Sequence, residues 1–311
     1  MGFQQETCDN FFSMWTPPPS TPGKRRASVL IGIFSRLPLP LLYGLSGLLF
    51  VALFRLARFQ RPLLTDNLRR AFPGKTDADI HRLAAASYHN ALDFLVETVK
   101  VWRMDAGELQ RRVQIENPEL LEALLDKHKT VLALTAHSGN WEWLQLACAA
   151  GLGTPIAAVY NPLNHRGIDA LLLELRRRFG SRLIESGNAL PELIDFSRRG
   201  GIIALNADQL PRPEDDKYWS TFLGIDTAFF TGPEKLARLL RAPVVFVDMR
   251  RVRRGYYRVR FESLASPPYP SSKGAIMQPY VRAVERQLRA APQDWFWLYK
   301  RWKYAKPLYT D

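Results

Sequence analysis

The sequence predicts an α/β fold in which a largely parallel mixed sheet is flanked by helices and preceded by an N-terminal membrane-anchoring helix. Three observations carry this. Beyond residue 116, short apolar runs alternate with helical stretches, the pattern of a sheet covered by helices on its faces. Residues 130–136 (TVLALTA) form a continuous apolar run, as a strand buried on both faces requires. Residues 37–54 carry no charge and are bracketed by Arg36 and Arg55.

With 311 residues, 47% apolar and 23% charged, the chain is globular and long enough for one large core. Lys and Arg total 43 against 30 Asp and Glu, a net charge of +13. Such a surface attracts something acidic: nucleic acid, an anionic membrane or an acidic partner protein. The two cysteines, Cys8 and Cys148, are far apart. A disulfide framework is excluded, and a reducing compartment is expected.

From the N-terminus, residues 1–27 read as a disordered tail, rich in Pro at Pro17, Pro18, Pro19 and Pro22 and basic at Lys24, Arg25 and Arg26. Residues 28–58 form the expected anchor. As a helix, the uncharged run would reach about 27 Å, just short of a hydrocarbon core of about 30 Å. A cleaved signal peptide is disfavoured, because the run exits into Arg55, Arg58 and Arg61 rather than a small-residue cleavage site. A buried core helix is the alternative. Pro38 and Pro40 sit near the helix start, where Pro is tolerated, and Tyr43 suits a membrane interface. Both flanks are basic, which leaves spanning and half-inserted arrangements open.

Residues 59–311 read as a single α/β domain. A Pro73-Gly74 turn precedes a long helix at 77–103, whose apolar residues, from Ile80 and Ala84 to Val99 and Trp102, recur at three- and four-residue steps. Asp77 or Asp79 suits its cap. Helices are also expected at 141–151, 168–179, 233–241 and 276–289, and strands at 155–160, 201–206, 243–248 and 256–261. Arg250, Arg251, Arg253 and Arg254, ahead of Gly255, mark a hairpin turn. It reads first as solvated and second as a surface for anionic headgroups or an acidic carrier protein. The aromatic cluster from Trp295 to Tyr304 reads as core or membrane interface rather than as a base-stacking platform.

In open α/β sheets, ligands bind off the carboxyl ends of the strands. There the run at 130–136 delivers His137, and Ser138-Gly139-Asn140 turns the chain into a helix beginning near Trp141. His137 and Glu142 stand five positions apart across that turn, so a first-turn carboxylate is able to fold back toward the imidazole. Histidine suits general-base work near neutral pH, and a carboxylate fixes its tautomer. The plainer alternative is a structural histidine and a glutamate that favours the helix dipole. The 5 histidines show no metal-ligand spacing, so no metal is expected. No G-x-S-x-G occurs, which disfavours a hydrolase-type serine.

The stretch from His137 to Glu142, H-S-G-N-W-E, resembles the H-x-x-x-x-D/E signature of the bacterial lipid A biosynthesis (lauroyl/myristoyl-type) acyltransferase family, within the wider glycerolipid acyltransferases. Companion segments follow in the family's order. Asn67-Leu68 with Phe72-Pro73 resembles its N-L…F-P element, and Val159-Tyr160-Asn161-Pro162 its V-Y-R-P segment. Residues 176–180 (RRRFG) match its arginine-rich helix end, and Ala207-Asp208-Gln209 its D-Q element. Phe222-Leu223-Gly224 and Thr231-Gly232-Pro233 match its F-x-G and T-x-G positions. Asp294-Trp295-Phe296-Trp297 with Arg301-Trp302-Lys303 resembles its aromatic ending. The match spans about residues 37–306. Asn161 departs from it, standing where the family usually has Arg, which puts the acceptor in doubt.

The resemblance implies a membrane-associated O-acyltransferase. It would move a fatty acyl group from an acyl carrier protein or coenzyme A thioester to a hydroxyl of a lipid A precursor or related glycolipid. No resident cofactor is implied. The location implied is the cytoplasmic side of the bacterial inner membrane. His137 would remove the hydroxyl proton and Glu142 would orient His137. Asn140, Arg176, Asp208 and Gln209 are implied on the substrate side, with Arg176 for anionic groups and Asp208 for site organisation; helix capping is the other role for Asn140. Backbone amides at the helix start would receive the oxyanion. Expected partners are the lipid acceptor, the thioester donor and an anionic membrane surface, with no nucleic acid and a monomeric state. A phosphatidylinositol mannoside or an ornithine lipid is the alternative acceptor. A non-catalytic basic protein binding membrane or nucleic acid is the alternative of another class.

Overall fold

The computed structural model describes residues 22–305, with side chains from residue 28 onward. Its N-terminal part is two helices rather than one. Helix α1 (Pro22–Phe34) begins inside the stretch expected as tail; residues 1–21 lie outside the described residues. Helix α2 (Leu39–Phe50) follows Pro38 and continues as a π-helical segment over Val51–Leu56. The break at 35–38 falls where Pro38 and Pro40 lack the amides needed to continue a preceding helix. Leu39–Leu56 remains an apolar helix of 18 residues, 22% buried.

The chain then runs through α3 (Arg61–Ala71), α4 (Asp77–Lys100), α5 (Ala106–Arg112), β1 (Val113–Ile115), α6 (Glu119–Lys127), β2 (Thr130–Thr135), α7 (Trp141–Gly151), β3 (Ile156–Tyr160), α8 (Arg166–Arg176), β4 (Arg182–Glu185), α9 (Ala189–Arg199), β5 (Gly201–Asn206), β6 (Lys217–Phe222), β7 (Ile225–Phe230), α10 (Gly232–Leu240), β8 (Val244–Arg253), β9 (Tyr256–Ala265) and α11 (Met277–Ala290). Thr76 caps α4, its hydroxyl oxygen accepting the Asp79 amide, so neither aspartate is the cap.

The main sheet has seven strands in the order β1-β9-β8-β2-β5-β3-β4, and every neighbouring pair is parallel except β8 and β9. This is the largely parallel mixed sheet that the alternation predicts. Strand β2 is buried along its whole length, Leu132 and Leu134 facing one core layer and Val131 and Ala133 the other. Two covered faces explain its unbroken hydrophobicity. Strands β6 and β7 form a separate antiparallel hairpin. That hairpin, β1 and β4 escape pattern reading, because they are short or carry polar residues at alternate positions.

The basic β8–β9 turn is only half solvated. Arg250 and Arg253 are exposed, but Arg251 and Arg254 turn inward onto Asp93 of α4. Arg251 donates to Asp93 Oδ2 at 2.6 Å, and Arg254 Nε donates to the same oxygen at 2.8 Å while its guanidinium lies 4.1 Å over the Tyr43 ring. Asp93 also accepts the Ser46 hydroxyl of α2 at 2.6 Å. Burial would raise the Asp93 carboxyl, but its hydrogen bonds from Arg254, Ser46 and Arg251 hold it below its usual value. Removing one partner of a buried ion pair costs about 3–5 kcal/mol. These two arginines therefore clamp α2 to the domain and are not free charges for docking.

Candidate active site

Strands β2 and β5 lie side by side with Thr135 opposite Asn206. Two residues past each register partner come His137 and Asp208, so sheet pairing itself brings them together. His137 Nδ1 is 2.6 Å from Asp208 Oδ1, and the His137 amide donates to Asp208 Oδ2 at 2.9 Å. Trp295 Nε1 donates to the same Oδ2 at 2.7 Å. Asp208 is 1% exposed. Burial would raise its pKa, but the His137 imidazole and the hydrogen bonds from His137 and Trp295 outweigh it and hold the carboxyl below its ordinary value. An ionised carboxylate on Nδ1 places the proton of the neutral ring there and leaves Nε2 as the basic nitrogen. Nε2 faces the side-chain amides of Asn206 at 3.2 Å and Gln209 at 3.3 Å. Trp141 meets the imidazole edge to face, 5.0 Å between ring centres.

The turn after His137 depends on glycine. Gly139 has φ +67°, and a Cβ there would press on Met249 at 3.3 Å. The Gly139 amide donates to the Asp294 carbonyl at 2.9 Å and the Phe296 amide to the His137 carbonyl at 2.8 Å, so the C-terminal segment lies along the turn in a β-bridge. The Asn67 amide in turn donates to the carbonyls of Trp297 and Tyr299, at 2.8 and 2.7 Å. The N-L element and the aromatic ending thus meet behind the turn. Trp295, Trp297 and Trp302 are buried there as core.

Glu142, expected to orient His137, faces the other way. It pairs two-pronged with Arg176 at the end of α8, at 2.9 and 2.6 Å. Asp208 already fills the Nδ1 side of the imidazole, so no place remains there for a second carboxylate. Burial would lower the Arg176 pKa, but Glu142 raises it above its ordinary value, and the guanidinium stays charged. Glu142→Ala is expected to lose about 1–3 kcal/mol of stability by leaving that part-buried cation unpaired, and adding Arg176→Met is expected to restore part of it. Thermal unfolding of the two variants checks this; a double variant no more stable than Glu142→Ala would remove the pair's structural role.

Asn140, expected among the substrate contacts, is fully buried with its amide engaged inside the protein. Its Oδ1 accepts the Trp143 amide at 3.0 Å as the α7 cap, and its Nδ2 donates to Glu97 Oε2 at 2.7 Å. Burial pushes the Glu97 carboxyl up, opposed by Arg251 and by hydrogen bonds from Asn140, Tyr257 and Tyr43. Asn161 accepts from the Ser186 hydroxyl and lies 3.5 Å from the Arg212 guanidinium, so a cation stands at that edge even without an arginine at position 161. The contact of Asn206 with His137, the bond of Trp295 to Asp208 and the place of Glu97 escape the sequence reading. Asp93 and Glu97, four apart and buried on the same helix face, are the available signal for the last.

Between α7 and the sheet runs a cavity of about 110 Å³. Trp141, Leu144 and Cys148 line it from α7 and Leu152 from its C-cap, and Ala133 and Ala158 from the strands. Trp141 to Leu152 covers about 16 Å along the helix at about 1.5 Å per residue. Glu142, Arg176 and Asn206 also border this space. Burial pushes the Cys148 thiol up to about 12, so it is an inert lining group. Among the described residues, no group of three His, Cys, Asp or Glu side chains is arranged to hold a metal ion.

The profile of the bacterial lipid A biosynthesis acyltransferases matches residues 28–304. The chain belongs to that family. The protein is an acyltransferase. It is 23% identical over 275 residues to the lipid A biosynthesis lauroyltransferase of Escherichia coli (strain K12), covering 86% of this chain and 87% of that protein. It is also 27% identical over 146 residues to lipid A biosynthesis acyltransferase 2 of Shigella flexneri, covering 47% of this chain and 46% of that one.

Proposed function

We propose that this acyltransferase moves a fatty acyl group from a thioester donor to a hydroxyl of a lipid A precursor, with His137 as general base. The observation that carries the reading is His137 Nε2, held by Asp208 through the opposite ring nitrogen, beside an apolar cavity bordered by Arg176. In the reaction, the acceptor oxygen attacks the thioester carbonyl carbon as Nε2 takes its proton. A C–O bond forms, the tetrahedral oxyanion collapses, and the C–S bond breaks. The proton passes from His137 to the leaving thiolate. The Trp141 and Glu142 amides precede the first intrahelical hydrogen bond of α7, from the Leu144 amide to the Asn140 carbonyl, and would receive the oxyanion. The acyl chain would lie in the cavity beneath α7. Arg212, at the edge beside Asn161, suits an acceptor phosphate, whereas Arg176 is already paired with Glu142.

The same reading puts the protein on the membrane surface rather than across it. Leu41, Leu48 and Val51 of the apolar helix and Val29, Leu30 and Ile33 of α1 are exposed, whereas Leu39, Leu42 and Ser46 are buried against the α/β domain. A helix tied along one side to Asp93 and Glu97 would enter one leaflet by its outer face, with Arg36, Arg55 and Arg58 toward the headgroups. The cytoplasmic side of the inner membrane fits a cytosolic thioester donor.

The test is transfer by the purified protein, in mixed micelles, from an acyl carrier protein thioester or from acyl-coenzyme A to a lipid A precursor. Mass spectrometry should record one added acyl group. No product with either donor, alongside acylation of another glycolipid, would overturn the acceptor assignment and leave the reaction type standing.

A further inference from the structure

Glu97 is 0% exposed and touches neither His137 nor the cavity, yet three elements converge on it. Its Oε2 accepts the Asn140 side-chain amide and the Tyr257 hydroxyl, each at 2.7 Å. Its Oε1 accepts the Tyr43 hydroxyl at 2.7 Å and lies 4.0 Å from the Arg251 guanidinium. Its backbone carbonyl accepts the Trp143 indole N–H at 3.0 Å. Asn140 is where this bears on chemistry. One end of its amide caps α7 and the other is held by Glu97, so the amide plane is fixed from both sides. The first turn of α7 follows directly from His137, three residues upstream of Asn140. Tyr43 belongs to α2, the helix whose outer face is apolar. Gly255 at the hairpin tip lies against the Tyr43 hydroxyl, where any side chain would collide with it.

We propose that Glu97 is a positioning residue of the catalytic turn, tying the seating of α2, through Tyr43, to the orientation of Asn140 and the start of α7. The inference rests on reading the His137 turn as the acyl-transfer centre. A carboxylate accepts from all three donors at once. If α2 leaves its seat, Glu97 Oε1 loses the Tyr43 hydroxyl, and the carboxylate that holds the Asn140 amide through Oε2 loses one of the donors that fix its plane. The apolar helix is then part of the site's scaffold and not a detachable anchor. Because Glu97 acts through another residue, its loss should slow the chemical step and leave donor binding unchanged.

The experiment uses the full-length protein and measures kcat and KM for transfer from an acyl carrier protein thioester, with and without a lipid A precursor. Without acceptor, the reaction is thioester hydrolysis, and the comparison does not depend on the acceptor's identity. Glu97→Gln and Tyr43→Phe are each expected to lower kcat about tenfold, the size of one buried hydrogen bond, with KM little changed, when assayed well below each variant's melting temperature. In Glu97→Gln with Asn140→Asp, donor and acceptor change places: the new amide at position 97 donates to the new carboxylate at position 140, which still caps α7. That swap is expected to restore kcat to within about threefold of wild type. Wild-type kcat in Tyr43→Phe and Glu97→Gln, with His137→Ala inactive, would overturn the inference and leave the site reading intact. A loss in Glu97→Gln that follows only its melting temperature, with no recovery in the swap, would also overturn it. An active His137→Ala variant would remove the site reading and this inference with it.

Discussion

His137→Ala is expected to lower kcat for acyl transfer by about 10²–10⁴-fold, the usual worth of a positioned general base. The imidazole presents Nε2 to the space beside the cavity, and alanine leaves the acceptor hydroxyl to be deprotonated by solvent. The fold should survive. His137 makes its backbone bonds, amide to Asp208 and carbonyl to Phe296, independently of its ring. The measurement is single-turnover acyl transfer over a range of pH, with thermal unfolding alongside. A variant that retains wild-type turnover would exclude His137 as the base.

Asp208→Asn is expected to cost nearly as much, for a reason read from its neighbours. Two donors, the His137 amide and Trp295 Nε1, aim at Asp208 Oδ2. An asparagine will turn its carbonyl oxygen toward them and so present its NH₂ to His137 Nδ1. Nδ1 must then accept, the ring proton moves to Nε2, and the base is blocked. The corresponding tautomer reversal in the Ser-His-Asp triad lowers kcat about 10⁴-fold, and a loss of about 10³–10⁴-fold is expected here. Protein stability at neutral pH should fall far less than activity, since both hydrogen bonds to the oxygen are kept. The wild-type carboxyl is held below its ordinary value of 3.8 in the fold, so its contribution to stability is present at neutral pH and lost only as pH falls below that value. Turnover in Asp208→Asn within about tenfold of wild type would show that the tautomer is set by something else. Nitrogen NMR of the imidazole reports the tautomer directly.

Glu142 shows where local spacing stops being informative. Five positions from His137 across a tight turn, it is by spacing the natural partner for the imidazole. The turn leads into α7, whose first residues look sideways toward α8, and there Arg176 claims the carboxylate. Sequence distance alone does not distinguish a carboxylate that folds back from one that faces a neighbouring helix. The basic hairpin makes the same point about charge. Its four arginines look alike in a sequence, yet the register irregularity between Arg251 and Arg253 and the approach of α4 bring two of them inward against Asp93.

The sequence by itself determined the α/β class, the buried central strand, the position of His137 at its carboxyl end and the apolar helix before the domain. Each of these is written in local pattern: unbroken hydrophobicity where two faces are covered, an uncharged run long enough to meet a membrane, and a motif delivered at a strand end. The tertiary structure alone decided which carboxylate holds the histidine. His137 and Asp208 are 71 positions apart in the chain, and they meet because β2 and β5 are adjacent in the sheet with Thr135 opposite Asn206. It likewise decided that Glu97, buried near the end of a long helix, is the junction of α2, the hairpin and the catalytic turn. Partners that meet through sheet register and helix packing leave no spacing in the sequence to read.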